Sequence, residues 1–199
     1  MKKIFLTGIM AAAFLVACET KKNDSEHAAE SQNEEKMKDS VITPSITKDD
    51  EEFAVKIANA GMKEIELGKL AEEKGELKEV KEFGKHMVHQ HTEMAAELKN
   101  VAQLKNITLP DSLSADAKSE KEELMKLKGR EFDKKYMNAM VEGHKKVLSA
   151  LEKEAADTQD PNLKAFAEKG IPIIKEHLQM AEMTDSLAKA ENKGGKKMK

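Results

Sequence analysis

Tryptophan is absent from this sequence of 199 residues, which also has one tyrosine, four prolines and ten glycines. Aromatic residues make up 4% of the chain, whereas charged residues make up 36%. A β-sandwich or β-barrel needs many β-branched and aromatic residues and frequent turns built on glycine or proline. The abundance of Ala, Glu, Lys, Leu and Met therefore excludes an all-β fold and predicts one helical domain with tails.

Cysteine occurs once, at position 18, so the chain cannot form an internal disulfide. Two lysines near the N-terminus precede an apolar run from Ile4 to Ala17, which is the layout of a secretory signal. The run is too short for a transmembrane helix, which needs about 20 apolar residues. Its end, Leu15-Val16-Ala17-Cys18, resembles the lipobox of bacterial lipoproteins. The resemblance implies that residues 1–17 are a signal peptide and that Cys18 carries the lipid.

This resemblance implies a bacterial cell-envelope protein that is attached to a membrane through lipid. Glu19, at the position after the cysteine, differs from the Asp typical of inner-membrane retention and favours the outer membrane. Residues 18–49 are rich in Lys, Glu, Ser and Asn and have few large apolar side chains, so they predict a disordered tether. Residues 191–199 predict a disordered basic tail. The net charge of -3 gives no reason to expect a nucleic-acid partner, and no protein partner is predicted.

Apolar residues recur at helical spacing in four long segments. The predicted helices cover about 51–74, 77–106, 130–156 and 161–188. A connection of about 20 residues follows the second helix and contains a predicted short helix within 114–128, whereas the other two connections are tight. Short, long, short is the connectivity of a ferritin-like four-helix bundle, in which a crossover joins two helical hairpins. The sequence thus predicts such an all-α bundle over residues 50–190.

Four ionisable residues interrupt the apolar faces, one on each long helix. They are Glu64, His91, His144 and His177. Counted from the tight turns, the two members of each hairpin differ in depth by roughly 5 to 6 Å of helix rise, so the four can share one layer. Three imidazoles and one carboxylate could bind one zinc, copper or iron ion. The first interpretation of the four residues is a buried hydrogen-bonded Glu–His network that fixes the helix register; the metal site comes second and acid–base chemistry third.

An unpaired buried carboxylate costs several kcal/mol, so Glu64 is expected to have a partner in each case. Glu66, His86 and His89 are predicted to point away from the apolar faces to the surface, and His27 lies in the predicted tether.

Other metal chemistries have less support. A carboxylate di-iron bundle needs Glu-x-x-His on two helices, but Val88 and Ile174 stand three residues before the histidines at 91 and 177. Four methionines lie on or beside the apolar faces and could bind Cu(I) or Ag(I) through sulfur, although methionine more often fills irregular core space. They are Met87, Met94, Met140 and Met180.

Motifs spread along the predicted bundle match a known pattern. In the first two helices they are Phe53-x6-Ala60-Gly61-Met62, Glu66-Leu67-Gly68 and Met87-Val88-x2-His91-Thr92. Later they are Ile107-Thr-Leu109-Pro110, Phe132-Asp133-x2-Tyr136-Met137, Asp160-Pro161-x-Leu163 and Pro172-x4-His177-Leu178. Over about residues 50–185 they resemble a bacterial ferritin-like family of unknown function whose members are often labelled predicted outer membrane proteins. The resemblance implies the bundle fold and an envelope location, but no activity.

The sequence therefore favours a non-enzymatic binding or stress-related module, in which Glu64, His91, His144 and His177 are either structural groups or a site for one transition-metal ion. The first alternative is a periplasm-facing metalloenzyme that uses the same Glu/His layer with an open coordination position. The second is an envelope scaffold without a small ligand. A solvent path to the layer would favour an enzyme, whereas a sealed layer would favour a structural network.

Overall fold

The computed structural model describes residues 24–39 and 46–190. Six helices follow one another in this part of the chain. They are α1 (Ser25–Asp39), α2 (Lys48–Lys74), α3 (Lys78–Lys105), α4 (Ala115–Lys126), α5 (Gly129–Asp157) and α6 (Pro161–Lys189). Because these ranges contain no strand, the all-α prediction is confirmed. The predicted signal peptide, Cys18 and the basic tail lie outside the described residues.

The four long helices pack in pairs. Helix α2 lies along α3, and α5 lies along α6, while α2 also contacts α5 and α3 contacts α6. The short helix α4 belongs to the connection between the two pairs and contacts α2 and α5. The five helices that the periodicity predicted begin and end within three residues of their expected limits. None of the described helices is long and apolar enough to span a membrane.

Side-chain caps define where two of the long helices begin. Thr47 and Asp50 form a reciprocal capping box at the start of α2. At the start of α6, the Asp160 carboxylate accepts hydrogen bonds from the backbone N–H groups of Asn162 and Leu163, both at 3.0 Å. The same carboxylate pairs with Lys105 at the end of α3. This ion pair joins the beginning of α6, in the second pair of helices, to the end of α3, in the first pair.

Helix α1 corrects part of the prediction that residues 18–49 form a disordered tether: residues 25–39 are helical, whereas residues 18–23 and 40–45 lie outside the described residues. It packs against α2 and is joined by hydrogen bonds to the connection after α3. The Asn33 side chain donates to the Thr108 carbonyl at 3.0 Å and accepts from the Thr108 N–H at 2.7 Å. The Lys36 Nζ donates to the Asn106 carbonyl at 2.9 Å. The segment's low apolar content hid this helix, because much of its docking uses polar groups.

The buried apolar residues form two clusters, one towards each end of the bundle. One cluster includes Phe53, Leu98 and Phe166, and the other includes Phe83, Phe132 and Tyr136. Each long helix contributes to both clusters. The four ionisable residues identified in the sequence lie at the change from one cluster to the other. They therefore form a polar layer across an otherwise apolar core.

Helices α2 and α3 approach each other most closely at two glycines. A Cβ added at Gly84 would lie 2.7 Å from the Gly68 carbonyl oxygen, and a Cβ at Gly68 would lie 2.8 Å from the Gly84 carbonyl oxygen. These distances are too short for any side chain, so the hairpin needs glycine at both positions. At Gly61, two helical turns earlier on α2, an added Cβ would have no atom within 4 Å apart from its chain neighbours and the nearby backbone of its own helix.

We predict that Gly84→Ala lowers the free energy of unfolding by about 1–3 kcal/mol, because the methyl group forces the two backbones apart. The matched change Gly61→Ala adds the same methyl group to the same hairpin in open space. It should leave stability unchanged or raise it by up to about 1 kcal/mol through helix propensity. Urea unfolding followed by circular dichroism measures both; equal losses in the two variants would contradict the close approach.

Candidate metal centre

All four ionisable residues predicted to face inward meet in one layer. Glu64 on α2, His91 on α3, His144 on α5 and His177 on α6 are exposed by only 1%, 3%, 0% and 1%, respectively. The expectation of a shared layer is therefore confirmed. Each residue follows or precedes a buried apolar residue on its own helix by about one turn, so the same periodicity that builds the core places the polar groups inside it.

The three histidines form a compact triangle. Their ring centroids are 5.1 to 5.6 Å apart, and each ring offers one nitrogen such that these three atoms lie within 4.8 Å of one another. Tetrahedral zinc with bonds of about 2.0–2.1 Å to nitrogen separates its ligand atoms by about 3.3 Å. The distances between the ring nitrogens would have to shorten by up to about 1.5 Å to bind one ion. Small side-chain rotations on fixed helices can supply that movement.

The hydrogen bond of His144 determines which of its nitrogens is available. Its Nδ1 lies 2.8 Å from the carbonyl oxygen of Met140, one turn earlier on α5. A carbonyl can only accept, so the proton is on Nδ1 and the lone pair is on Nε2. The Nε2 atom is buried and has no hydrogen-bond partner in the described part of the chain. The same holds for Nδ1 of His177.

Glu64 lies beside two of the three histidines. Its Oε2 is 3.2 Å from Nε2 of His91, and its Oε1 is 3.5 Å from Nδ1 of His144. Glu64 thus has two histidine neighbours at the place where the cost of burying a carboxylate led us to expect partners. Neither contact has the direction of a good hydrogen bond, and both carboxylate oxygens lack one within the described ranges. The tight group contains the three ring nitrogens, with the carboxylate next to it, a common arrangement around metal-binding histidines.

Burial keeps His91 and His177 uncharged. Loss of solvation, together with the neighbouring rings of His91, His144 and His86, lowers the pKa of His177 to about 2, because a second positive charge close by is unfavourable. Loss of solvation also lowers the pKa of His91, although the Glu64 carboxylate partly opposes this. A neutral imidazole is the form that binds metal, so the layer is prepared for an ion at neutral pH.

His86 corrects the sequence prediction that it points away to the surface. It is half-buried, and its ring lies edge-on to His177 with the centroids 5.3 Å apart. The helical wheel of α3 placed it outside the apolar face, but the contact between α3 and α6 brings this border position against the second pair of helices. His89 is exposed, as predicted. Glu66 is half-buried and pairs with Lys69 and Lys121.

The predicted methionines at 87, 94 and 140 are buried within the two apolar clusters, and Met180 packs against one of them. These positions agree with the alternative that the methionines fill the core. His27, predicted to lie in the tether, is exposed on α1 and pairs with Glu30 at 3.1 Å.

A cavity borders the layer on one side. This cavity of about 450 Å³ reaches Glu64 and His91 between α2 and α3. Its walls are mainly apolar, and exposed residues such as Lys99 and Gln103 also border it. Sequence periodicity did not reveal this path. Its only signal in the sequence is the number of small residues on the facing sides of the two helices, among them Ala58, Gly61 and Ala95.

Residues 35–184 match the family described as "Domain of unknown function (DUF4142)", and the chain belongs to this family. This confirms the expected membership of a family of unknown function. Comparison with curated proteins and with solved structures gives no match. The function must therefore be argued from the residues of the site.

We predict that the metal-free protein loses stability as the pH falls below about 6.5, because the unfolded state then binds protons at His177 that the folded state cannot. Each such histidine contributes a slope of up to about 1.4 kcal/mol per pH unit. In His177→Gln the slope between pH 6.5 and 4.5 should be smaller by up to this amount. Urea unfolding at several pH values in the presence of a chelator measures it.

Glu154 has to be considered in this experiment. Its loss of solvation, with the neighbouring Asp50, raises its pKa to about 8, so it changes stability in the opposite direction between pH 4.5 and 8. Since it is present in both proteins, it cancels in the difference. Identical slopes for the wild type and His177→Gln would contradict an uncharged, buried His177.

Proposed function

We propose that this chain is a lipid-anchored protein of the bacterial cell envelope whose ferritin-like four-helix bundle binds one transition-metal ion. His91, His144 and His177 would hold the ion, and Glu64 would orient two of the histidines. The function that we infer first is that of a binding or stress-related module. Zinc, copper and iron are the metals that this donor set favours.

The observation that carries the proposal is the convergence of three buried ring nitrogens from three helices within 4.8 Å. A purely structural network would be expected to pair its polar atoms with one another. Here Nε2 of His144 and Nδ1 of His177 are buried without a partner in the described chain. Such atoms are costly unless something else binds them. A metal ion would satisfy both at once.

Glu64 adds a second argument. A divalent ion placed among the three imidazoles brings two positive charges into the core, and a carboxylate nearby reduces that cost. Metal-binding histidines commonly direct their other N–H to a carboxylate or a carbonyl, which holds the ring in place. In this layer His144 has both, the Met140 carbonyl at 2.8 Å and Glu64 at 3.5 Å.

The fold and location have separate support. The packing of α2 with α3 and of α5 with α6, joined by a long connection that contains α4, is the order of elements in ferritin-like bundles. The envelope location rests on the signal-like residues 1–17 and on the lipobox-like residues that end at Cys18.

A metalloenzyme is the second candidate, and the cavity is the observation that favours it. A site with three protein ligands and an open position is typical of catalytic zinc centres, whereas structural zinc sites are closed. The cavity reaches Glu64 and His91, so a small molecule could approach the layer from the α2–α3 side. In this reading Glu64 would be the group that accepts or donates a proton.

We predict that the chain from Glu19 onward, purified without a histidine tag and incubated with zinc, copper and iron in turn, retains about one equivalent of a single metal. Elemental mass spectrometry after removal of unbound metal measures the content. The double variant His91→Ala/His177→Ala should lose it, because two of three ligands are gone. The exposed His89→Ala on the same helix is the matched control and should retain it.

A wild-type protein that stays folded but holds no metal would contradict the proposal. So would a double variant that retains the same metal content as the wild type. If the double variant also loses much of its thermal stability without any metal being bound by the wild type, the histidines are structural groups of the core, and the function lies elsewhere.

The lipid anchor is tested separately in bacterial cells. We predict that the full-length chain fractionates with membranes and that Cys18→Ser moves it to the soluble fraction or leaves the precursor unprocessed, because the acylated sulfur is lost. Cell fractionation followed by mass spectrometry of the N-terminus measures this. A wild-type protein that is soluble and retains residues 1–17 would contradict the anchor.

A further inference from the structure

We propose that the cavity between α2 and α3 binds a small, mainly apolar molecule whose hydroxyl group forms hydrogen bonds with Glu64 and His91. This inference concerns the cavity and its inner end. It does not depend on the metal, although a bound molecule would have its polar end beside the three histidines.

The cavity results from the way in which α2 and α3 pack against each other. At Gly68 and Gly84 the backbones of α2 and α3 are so close that a methyl group would collide with a carbonyl oxygen. Two turns away, a Cβ added at Gly61 would have no atom within 4 Å apart from its chain neighbours and the nearby backbone of its own helix. The two helices therefore diverge from a tight contact into an open cleft. Large side chains could fill this cleft, but the sequence places Ala58, Gly61 and Ala95 there.

The cavity's volume of about 450 Å³ is within the range of roughly 300–1,000 Å³ that is common for small-molecule sites. Ile57 and Leu98 line its sides, and Val147 of α5 also borders it. Water gains little in such a space, because a buried water needs two to four polar partners and most of these walls offer none. An apolar molecule would displace that water at low cost.

The inner end of the cavity supplies the polar requirement. Glu64 and His91 are exposed by only 1% and 3%, and both border the cavity. Neither carboxylate oxygen of Glu64 has a hydrogen-bond partner in the described chain, nor does Nε2 of His91. A carboxylate accepts hydrogen bonds, so the visiting group must donate one. A hydroxyl group can donate to Glu64 and can either donate to or accept from His91, whichever nitrogen carries the proton.

The outer wall is held in place by α1. Ile107, Leu109 and Pro110 of the connection after α3 line the cavity, and the intervening Thr108 makes two backbone hydrogen bonds with Asn33 of α1. Lys36 of α1 also donates to the hydroxyl of Thr108 at 2.7 Å. These hydrogen bonds fix the position of the wall, so the cavity has a defined shape for a ligand.

The test uses two aromatic probes of nearly equal size, 4-propylphenol and 4-propylanisole, which differ in whether the oxygen carries a hydrogen. The chain from Glu19 onward, treated with chelator, is titrated by calorimetry and by amide NMR. We expect one molecule of 4-propylphenol per chain, with shifts concentrated at residues 57–64, 91–103 and 107–111. The anisole should bind at least about tenfold more weakly, because it leaves Glu64 without a donor.

Two neighbouring alanines on α3 provide the matched variants. Ala95 borders the cavity, whereas Ala96 is exposed and lies outside it. Ala95→Leu should reduce the affinity for 4-propylphenol at least about tenfold, and Ala96→Leu should leave it unchanged. Gly61→Leu fills the cavity from the opposite helix and serves as the second variant if Ala95→Leu does not fold.

Three results would overturn the inference. One is the absence of saturable binding of either probe by the folded wild type up to the probes' solubility. Another is equal affinity in the variants Ala95→Leu and Ala96→Leu. The third is equal affinity for the two probes, which would remove the role of Glu64. Metal content measured on the same variants separates this inference from the metal site, because Ala95→Leu leaves all three histidines in place.

Discussion

The burial of one carboxylate and three imidazoles in the middle of an apolar core is the constraint on which the structure depends. An unpaired buried charge costs several kcal/mol, so the Glu64 carboxylate favours an arrangement in which polar groups of other helices lie beside it. A shift of one residue in any helix would rotate its polar group by about 100° out of the layer. Because Glu64 lies within 3.5 Å of histidines from two other helices, the layer also determines how the helices align.

The same layer connects the packing to the chemistry. His91 and His177 stay neutral because they are buried, and the layer is buried because large apolar clusters lie on both sides of it. The packing of α2 against α3 differs between two parts of this hairpin. Glycines allow the backbones to touch near one cluster, whereas small residues leave a cleft beside Glu64 and His91. A polar layer with access from one side is suited to binding, and a fully packed hairpin would have sealed it.

Much of this could be predicted from local pattern. The long helices, their tight turns and the four inward residues follow from a period of 3.6, because the direction of a side chain on a helix depends only on its own position. Predictions failed where the position of a residue depends on contacts with another part of the chain. Helix α1 docks through polar groups such as Asn33, which composition marks as typical of disorder. His86 lies at the edge of its helix face, and α6 brings it into contact with His177.

The sequence by itself determined the helical class, the positions of Glu64 and the three histidines on inward faces, and the lipobox-like context of Cys18. Only the tertiary structure decided that the three ring nitrogens lie within 4.8 Å, that Glu64 stands beside them, and that a cavity leads to the layer. The physical reason is that a helical wheel gives an angle and no distance between helices. That distance follows from the contacts of other residues, of which the approach of Gly68 to Gly84 is the clearest.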